Sequence, residues 1–303
     1  MTVGKALAGL ATAAGATAAS CLAYGAFIEP TSFTLRRVEV PILPPGRASI
    51  TILHVSDLHL LPSQKAKIAW VQSLAAHKPD LVVNTGDNLS TPDGLAALGS
   101  IFAPLAGIPG VFVLGSNDIF APAPINPLKY FRPPRRAAPP PVLPTADIVT
   151  TLEGLGWTNV QERCVCFTLG DTKIEVRGCG DAHIGLDDYP QVMSQPHCAE
   201  RLLTVTHAPY RRVLDQMVAD GSSLILAGHT HGGQVCWPTG RALTTNCDLP
   251  VEKAKGLSTH LAPAGSAYLH VSAGLGTSPY APYRFACPPE ATLLTLTPAS
   301  GRR

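Results

Sequence analysis

Short apolar runs recur along the chain, separated by amphipathic or polar stretches. Ser49–Val55 (SITILHV), Asp80–Thr85 (DLVVNT), Val111–Leu114, Leu202–Thr206 and Leu224–Ala227 are apolar at nearly every position and rich in Val, Ile and Leu. That is the pattern of strands buried on both faces. Between them the period changes. Lys65–His77 carries Ile68, Val71 and Leu74 at three-residue steps, Asp93–Gly107 carries Leu95, Leu98, Ile101, Phe102 and Leu105, and Tyr210–Asp220 carries Val213, Leu214, Met217 and Val218. These spacings predict amphipathic helices, and strand–helix–strand alternation predicts parallel sheet. Asp147–Leu155 reads as a short helix. Cys164–Leu169 and Lys173–Arg177 read as a hairpin across the turn pair Gly170-Asp171. Val235–Thr239 and Ala267–Ser272 are expected to continue a second sheet, and Ala291–Thr297 to close it. Residues 29–48 end in Pro44-Pro45-Gly46 and read as a linker with an edge strand.

Each buried strand runs into side chains that can bind a metal. The first stops at Asp57-Leu58-His59, the second at Gly86-Asp87-Asn88, and the third at Gly115-Ser116-Asn117-Asp118. The fourth stops at His207, and the fifth at Gly228-His229-Thr230-His231. Sites in open α/β sheets form beyond the carboxyl ends of strands, so these side chains should converge. Residues two apart on an extended segment point the same way, which would aim His229 and His231 at one point, and likewise Asp57 and His59. A mixture of imidazole and carboxylate donors suits Mn, Fe or Zn.

The order D-x-H, G-D, G-[N/S]-x-D, H, G-H-x-H resembles the calcineurin-like metallophosphoesterases over about Ile50 to Leu296. Gly232-Gly233-Gln234, Gly274-Leu275-Gly276-Thr277, Arg284 and Pro289-Glu290 look like the membrane-associated bacterial branch. The resemblance implies a four-layer αββα sandwich, two mixed sheets flanked by helices, over residues 49–298. It implies two divalent metal ions: Asp57, His59 and His231 on the first, His207 and His229 on the second, and Asp87 bridging. The family usually has Gly-Asn-His where this chain has Gly115-Ser116-Asn117-Asp118. Asn117 is the better ligand, since an amide oxygen binds a hard ion better than the Ser116 hydroxyl. The histidine that serves the leaving oxygen is then missing, and Asp118 or Asn117 stands in its place. Ser90 is a second departure, at a position where many relatives are acidic. Asp87, Asn117, Asp118 and His207 are the expected catalytic residues. Arg132, His183 and Gly232 are the expected substrate contacts.

The implied activity is hydrolysis of a phosphodiester, pyrophosphate or phosphomonoester on a lipid-linked or nucleotide substrate. Losing a general acid costs about 10² to 10⁴ in rate, so diesters and pyrophosphates with good leaving groups are favoured. The alternative is a metal-stabilised module that binds a phosphate ligand with little turnover.

Composition narrows the rest. Of 303 residues 46% are hydrophobic and 15% charged, with net charge +2, which excludes a disordered or strongly basic chain. Lys129, Arg132, Arg135 and Arg136 form the densest basic cluster, and they lie in the proline-rich insertion 121–145, so no nucleic-acid partner is expected. That insertion is read as a solvated loop or a lid beside the site. Eight cysteines contain no CxxC pair; without Cys21 an odd number remains, which favours reduced thiols and a reducing compartment. Ala6–Ile28 carries no charge over 23 residues, about 35 Å as a helix and enough to span a bilayer core. A retained membrane anchor is the preferred reading of residues 1–28, ahead of a cleaved signal segment or lipidation at Cys21. Arg36 and Arg37 lean the catalytic domain toward the cytoplasmic face.

Overall fold

The structure is a computed structural model and describes residues 3–122 and 141–299. An N-terminal helix α1 (Val3–Phe27) precedes the sandwich. The first sheet contains β1 (Thr34–Leu43), β2 (Ile50–Val55), β3 (Leu81–Asn84), β4 (Gly110–Phe112), β5 (Trp157–Asn159) and β12 (Glu290–Pro298), in the order β1-β12-β2-β3-β4-β5. The second contains β6 (Arg163–Leu169), β7 (Thr172–Gly178), β8 (Arg201–Val205), β9 (Leu224–Ala227), β10 (Gly256–Ala262) and β11 (Gly265–Val271), in the order β10-β11-β9-β8-β7-β6. Each sheet has a parallel centre and antiparallel pairs, β12 with β2 in one and β10–β11 and β6–β7 in the other.

Strand alternation builds the layers. Ile50 and Ile52 of β2, Leu81 and Val83 of β3, and Leu224 and Leu226 of β9 meet in the core between the sheets. Leu53, Val55 and Val82 point outward to α2 (Lys65–Ser73), α3 (Leu95–Phe102) and α4 (Thr145–Glu153), where Phe102, Ile148 and Trp157 pack. Ile225 points outward on the second sheet, toward α5 (Tyr189–Met193) and α6 (Arg211–Ala219). Two sheets face to face with helices outside both make the four-layer sandwich the sequence pattern implied.

Three local expectations are corrected. Ala291–Thr297 lies inside β12, which sits in the first sheet between β1 and β2 and not in the second. Apolar character alone does not tell a strand which sheet to join. Val235–Thr239 forms no sheet strand and makes only the isolated bridges Val235–Phe285 and Cys236–Ala242. Cys166 and Cys198 form a disulfide, which removes the support that an odd cysteine count lent to a reducing compartment. The partners are 32 residues apart, and only the path of the loop after α5 brings them together.

Near that disulfide lies a buried ionic cluster. Arg177 is fully buried, with Nε on Glu175 2.5 Å away and Nη1 3.3 Å from Asp220, while its other donors reach the carbonyls of Val192 and Gln195. Removing one member of such a cluster strands buried charge. Arg177→Met is therefore expected to cost about 3–5 kcal/mol in chemical denaturation. Arg212→Met breaks a half-exposed pair with Asp187 and should cost about 0–1 kcal/mol. Equal losses would show that the Arg177 cluster contributes no more than a surface ion pair.

Candidate metal centre

The five ligand-bearing loops leave the carboxyl ends of β2, β3, β4, β8 and β9 and meet at one rim of the sandwich. Asp57, His59, Asp87, His207 and His229 are all at most 6% exposed. Asp57, His59, Asp87 and His231 each offer one ligand atom, and these atoms lie within 4.8 Å of one another. His59 Nε2 stands 3.1 Å from His231 Nε2 and 3.5 Å from Asp87 Oδ2. His231 Nε2 is 3.7 Å from Asp57 Oδ1. On the other side, His207 Nε2 is 3.5 Å from Asp87 Oδ1. The Asp87 carboxylate therefore turns one oxygen to each of two groups of imidazoles.

The hydrogen bonds made by three of these rings fix which nitrogen is free. His207 Nδ1 donates to Thr85 O at 2.6 Å, His231 Nδ1 to Gly276 O at 3.1 Å, and His229 Nε2 to Asn246 O at 3.2 Å. When such a ring is neutral, the nitrogen that does not face the carbonyl holds the lone pair a metal requires. His207 Nε2 is buried with no hydrogen-bond partner among the described residues. Two neutral imidazoles facing each other at 3.1 Å and a buried, unpartnered imidazole nitrogen beside carboxylates suit a cation, and the residues fit a metal centre.

His229 and His231 do not share one target as an extended segment would require. His231 stacks on His59, ring centroids 4.9 Å apart, whereas His229 lies edge-on to His207 at 5.2 Å. The cause is backbone conformation: Asp57, His59, Asp87, His229 and His231 have φ between 42° and 69°, the left-handed region, so the two-residue alternation of a strand is broken. Close approach adds a second demand. A Cβ at Gly115 would overlap Asp87 Oδ1 and the His207 ring, and one at Gly228 would overlap Ser56 Oγ and Asp57.

Asn117 meets Asp87 through its backbone N at 2.7 Å and its side-chain Nδ2 at 2.9 Å. Asp118, expected among the catalytic residues, has a different position. Its carboxylate is fully buried and accepts from the backbone N of Asp87, Asn88 and Gly115 and from Asn88 Nδ2, so its lone pairs are taken and it organises the loops. Gly232, expected as a substrate contact, is buried against Ala273, Cys287 and Lys255. His183 is exposed, with its ring 4.5 Å from that of His229 and Nδ1 2.9 Å from Tyr210 Oη. Arg132 lies outside the described residues.

Several neighbours were not legible as site residues. Arg284 is fully buried and donates to the carbonyls of Ala273, Gly274 and Gly276, with Nη2 3.5 Å from His231 Nδ1. Lys67 is buried with Nζ on Leu58 O at 2.7 Å, and burial pushes it down to about 7. Asp181 is buried, and its Oδ2 has no partner among the described residues. Beneath the rim, His54 bonds both His270 and Thr85. The sequence marked Arg284 only as a family-like feature, and a lysine inside an amphipathic helix gave no signal.

The profile of the calcineurin-like phosphoesterase family matches residues 50–233. The metallophosphoesterase YkuE of Bacillus subtilis (strain 168) is 27% identical over 94% of this chain and 93% of its own length. The phosphodiesterase YaeI of Escherichia coli (strain K12) is 27% identical over 94% of this chain and 96% of its own. Among solved structures, a dimetal phosphatase from Danio rerio superposes with TM-score 0.40 at 11% identity, over 82% of this chain and 98% of that one.

Protonation gives a test of the centre. Burial holds Asp57 above the usual carboxylate range and Asp118 up to about 6. Burial also lowers His59 to about 4 and His229 to about 3. At His207 burial works the same way, but Asp87, Asp181 and Asp57 outweigh it and raise the ring to about 10. A divalent ion must displace the proton on His207 and any on Asp57, so its affinity falls as pH falls. At pH 7 binding should release about one to two protons. Calorimetric titration with Mn in two buffers of different ionisation enthalpy measures this, and identical heats in both would refute it.

Proposed function

The chain belongs to the calcineurin-like phosphoesterase family, and on that premise we propose that it is a dinuclear metal-dependent hydrolase of phosphate esters, acting on a diester or pyrophosphate in preference to a monoester. The observation that carries this reading is the Asp87 carboxylate, with Oδ2 toward His59 and Oδ1 toward His207. Asp57, His59, Asp87 and His231 would hold one ion, and Asp87, Asn117, His207 and His229 the other. Mixed nitrogen and oxygen donors favour Mn, Fe or Zn. Two such ions would neutralise charge developing on phosphoryl oxygens and activate water at neutral pH.

The chain's own residues do the positioning. The hydrogen bonds to Thr85, Gly276 and Asn246 keep three imidazoles in the ligating tautomer, and Asp118 fixes the backbone on both sides of Asp87. His183 stands at the exposed rim beside His229, where it would meet the substrate. No imidazole occurs at Ser116 or Asn117 to protonate a leaving oxygen. This favours esters that leave as stable anions, aryl diesters and pyrophosphates among them. The stretch Gly9–Thr31, which begins in α1 and runs past its end, is long and apolar enough to cross a membrane and would hold the domain at a membrane surface. An exposed disulfide favours the oxidising face of that membrane.

The full-length chain loaded with Mn is expected to contain about two metals by elemental analysis and to hydrolyse a bis-aryl phosphodiester. Asp87→Asn and His229→Ala should abolish turnover. With no imidazole to serve the leaving oxygen, aryl esters should react about 10²- to 10⁴-fold faster than their alkyl counterparts. Two bound metals and intact phosphate binding without turnover would instead favour the non-hydrolytic binding module.

A further inference from the structure

The apolar helix is not a loosely tethered appendage. Arg284 N donates to Gly25 O at 2.8 Å, and the Arg284 carbonyl occupies the space a Cβ at Gly25 would need. Tyr24 meets Phe285 edge-on at 6.5 Å. Glu29, 2% exposed, accepts from the backbone N of Ala286 and Cys287. These bonds make the end of α1 continuous with the wall of the metal centre. A single residue spans the distance: the backbone of Arg284 holds α1, and its guanidinium touches Gly276 O at 2.7 Å and stands 3.5 Å from His231 Nδ1.

The surface around this junction has the chemistry of a bilayer boundary. Leu10, Leu22, Phe27 and Ile28 of the helix and its end are 55–80% exposed, and only 6% of the apolar span is buried against protein. Leaving such a span in water forfeits about 25 cal/mol per Å² of apolar surface. Where the span ends, Tyr24, Tyr280 and Tyr283 are 42–55% exposed. Aromatic rings with a polar tip concentrate at the headgroup level of membranes. A cavity of about 390 Å³ lies between the end of the helix and the segment carrying Gly276, whose carbonyl accepts from His231. Ala26, Pro30 and Phe33 line it on the anchor side, and Lys67, Gly276 and Thr277 on the site side. Its lining combines apolar side chains from the helix end with Lys65 and Lys67.

Resting on the phosphoesterase reading, we propose that the substrate is a phosphate ester of a membrane lipid, reaching the metal centre from a bilayer that lies against Tyr24, Tyr280 and Tyr283. Its phosphate lies at the depth where the anchor sets the rim, and its apolar part matches the anchor side of the cavity. A free nucleotide gains nothing from that side. The step is hydrolysis: the oxygen of water bonds to phosphorus, the ester P–O bond breaks, and a proton from that water ends on the leaving oxygen. Water is the only co-reactant.

The test uses the full-length, Mn-loaded chain in phosphatidylcholine vesicles containing phosphatidylglycerol, whose headgroup is joined by a phosphodiester. Tyr283→Trp, read as the difference from the parent chain with its three tryptophans Trp70, Trp157 and Trp237, reports depth, and vesicles with brominated acyl chains should lower the added emission about twofold or more. Release of phosphate-containing or glycerol headgroup should accompany turnover of the soluble bis-aryl diester. In Tyr280→Ser/Tyr283→Ser the ratio of lipid to bis-aryl turnover should fall about tenfold. Absence of quenching, or an equal fall in both rates, would overturn the docking. Bis-aryl turnover with quenching but no headgroup release would overturn the lipid substrate alone. Loss of both turnovers in the parent chain would instead remove the phosphoesterase reading itself, and the substrate with it.

Discussion

Two hydrogen-bonding contacts that cross from one sheet to the other hold the rim together. Asp57, at the end of a strand in the first sheet, accepts the backbone N of His229 from the second, at 3.1 Å to each carboxylate oxygen. His207, from the second sheet, donates to Thr85 O in the first at 2.6 Å. Without these bonds and the His54–His270 bond beneath them, the two sheets would touch here mainly through apolar packing, which has no directional preference. With them the loops interlock, and five non-glycine residues persist in the left-handed region at a cost of about 1–2 kcal/mol each. Further backbone bonds lock the same turns: Asp57 N to Gly86 O, His59 N to Asp87 O, Gly228 N to His207 O. Strain at the ligand positions and rigidity of the rim therefore have one origin.

The interior of the sandwich was legible because burial on both faces leaves an unmistakable apolar run, as in Asp80–Thr85 and Leu224–Ala227. The ligands were legible because each sits where such a run stops. What the sequence concealed depends on contacts between distant segments. β12 looks like any other apolar strand, and only its pairing with Thr34–Leu43 and Ile50–Val55 assigns it to the first sheet. Asp118 stands next to a ligand in sequence, yet its carboxylate serves the amides of a loop about thirty residues away. His229 and His231 diverge because their φ angles are positive, a fact no alternation rule contains. Cys166 and Cys198 are joined by a loop path rather than by a recognisable spacing.

The apolar N-terminal helix illustrates how composition can describe a segment while its packing stays hidden. Uncharged length marked residues 6–28 as a possible span, and nothing in that length indicated that Gly25 and Glu29 are packed into the domain. Glu29 is a buried carboxylate whose partners are backbone amides 257 and 258 residues away. Residues that terminate the helix therefore also support the segment that carries Arg284. The same few side chains set the height of the domain above the helix and the position of His231.

The two halves of the centre are not electrostatically equivalent. Behind His59 and His231 stand Lys67 and Arg284, and both lower the affinity of His59 for a proton. Behind His207 stand Asp57, Asp87 and Asp181, and their charge raises that ring to about 10 in spite of burial. The ligand set proposed for the ion at His59 and His231 would supply two carboxylates, Asp57 and Asp87, against Lys67 and Arg284 behind it, whereas the ion at His207 would take Asp87 alone and have Asp181 nearby. Asp87 faces both halves, and its carboxylate is kept ionised against burial by His207 and His59 and by the donors of Asn117. Both ions would then share the one carboxylate that stays ionised against burial, and each would meet its own balance of neighbouring charge.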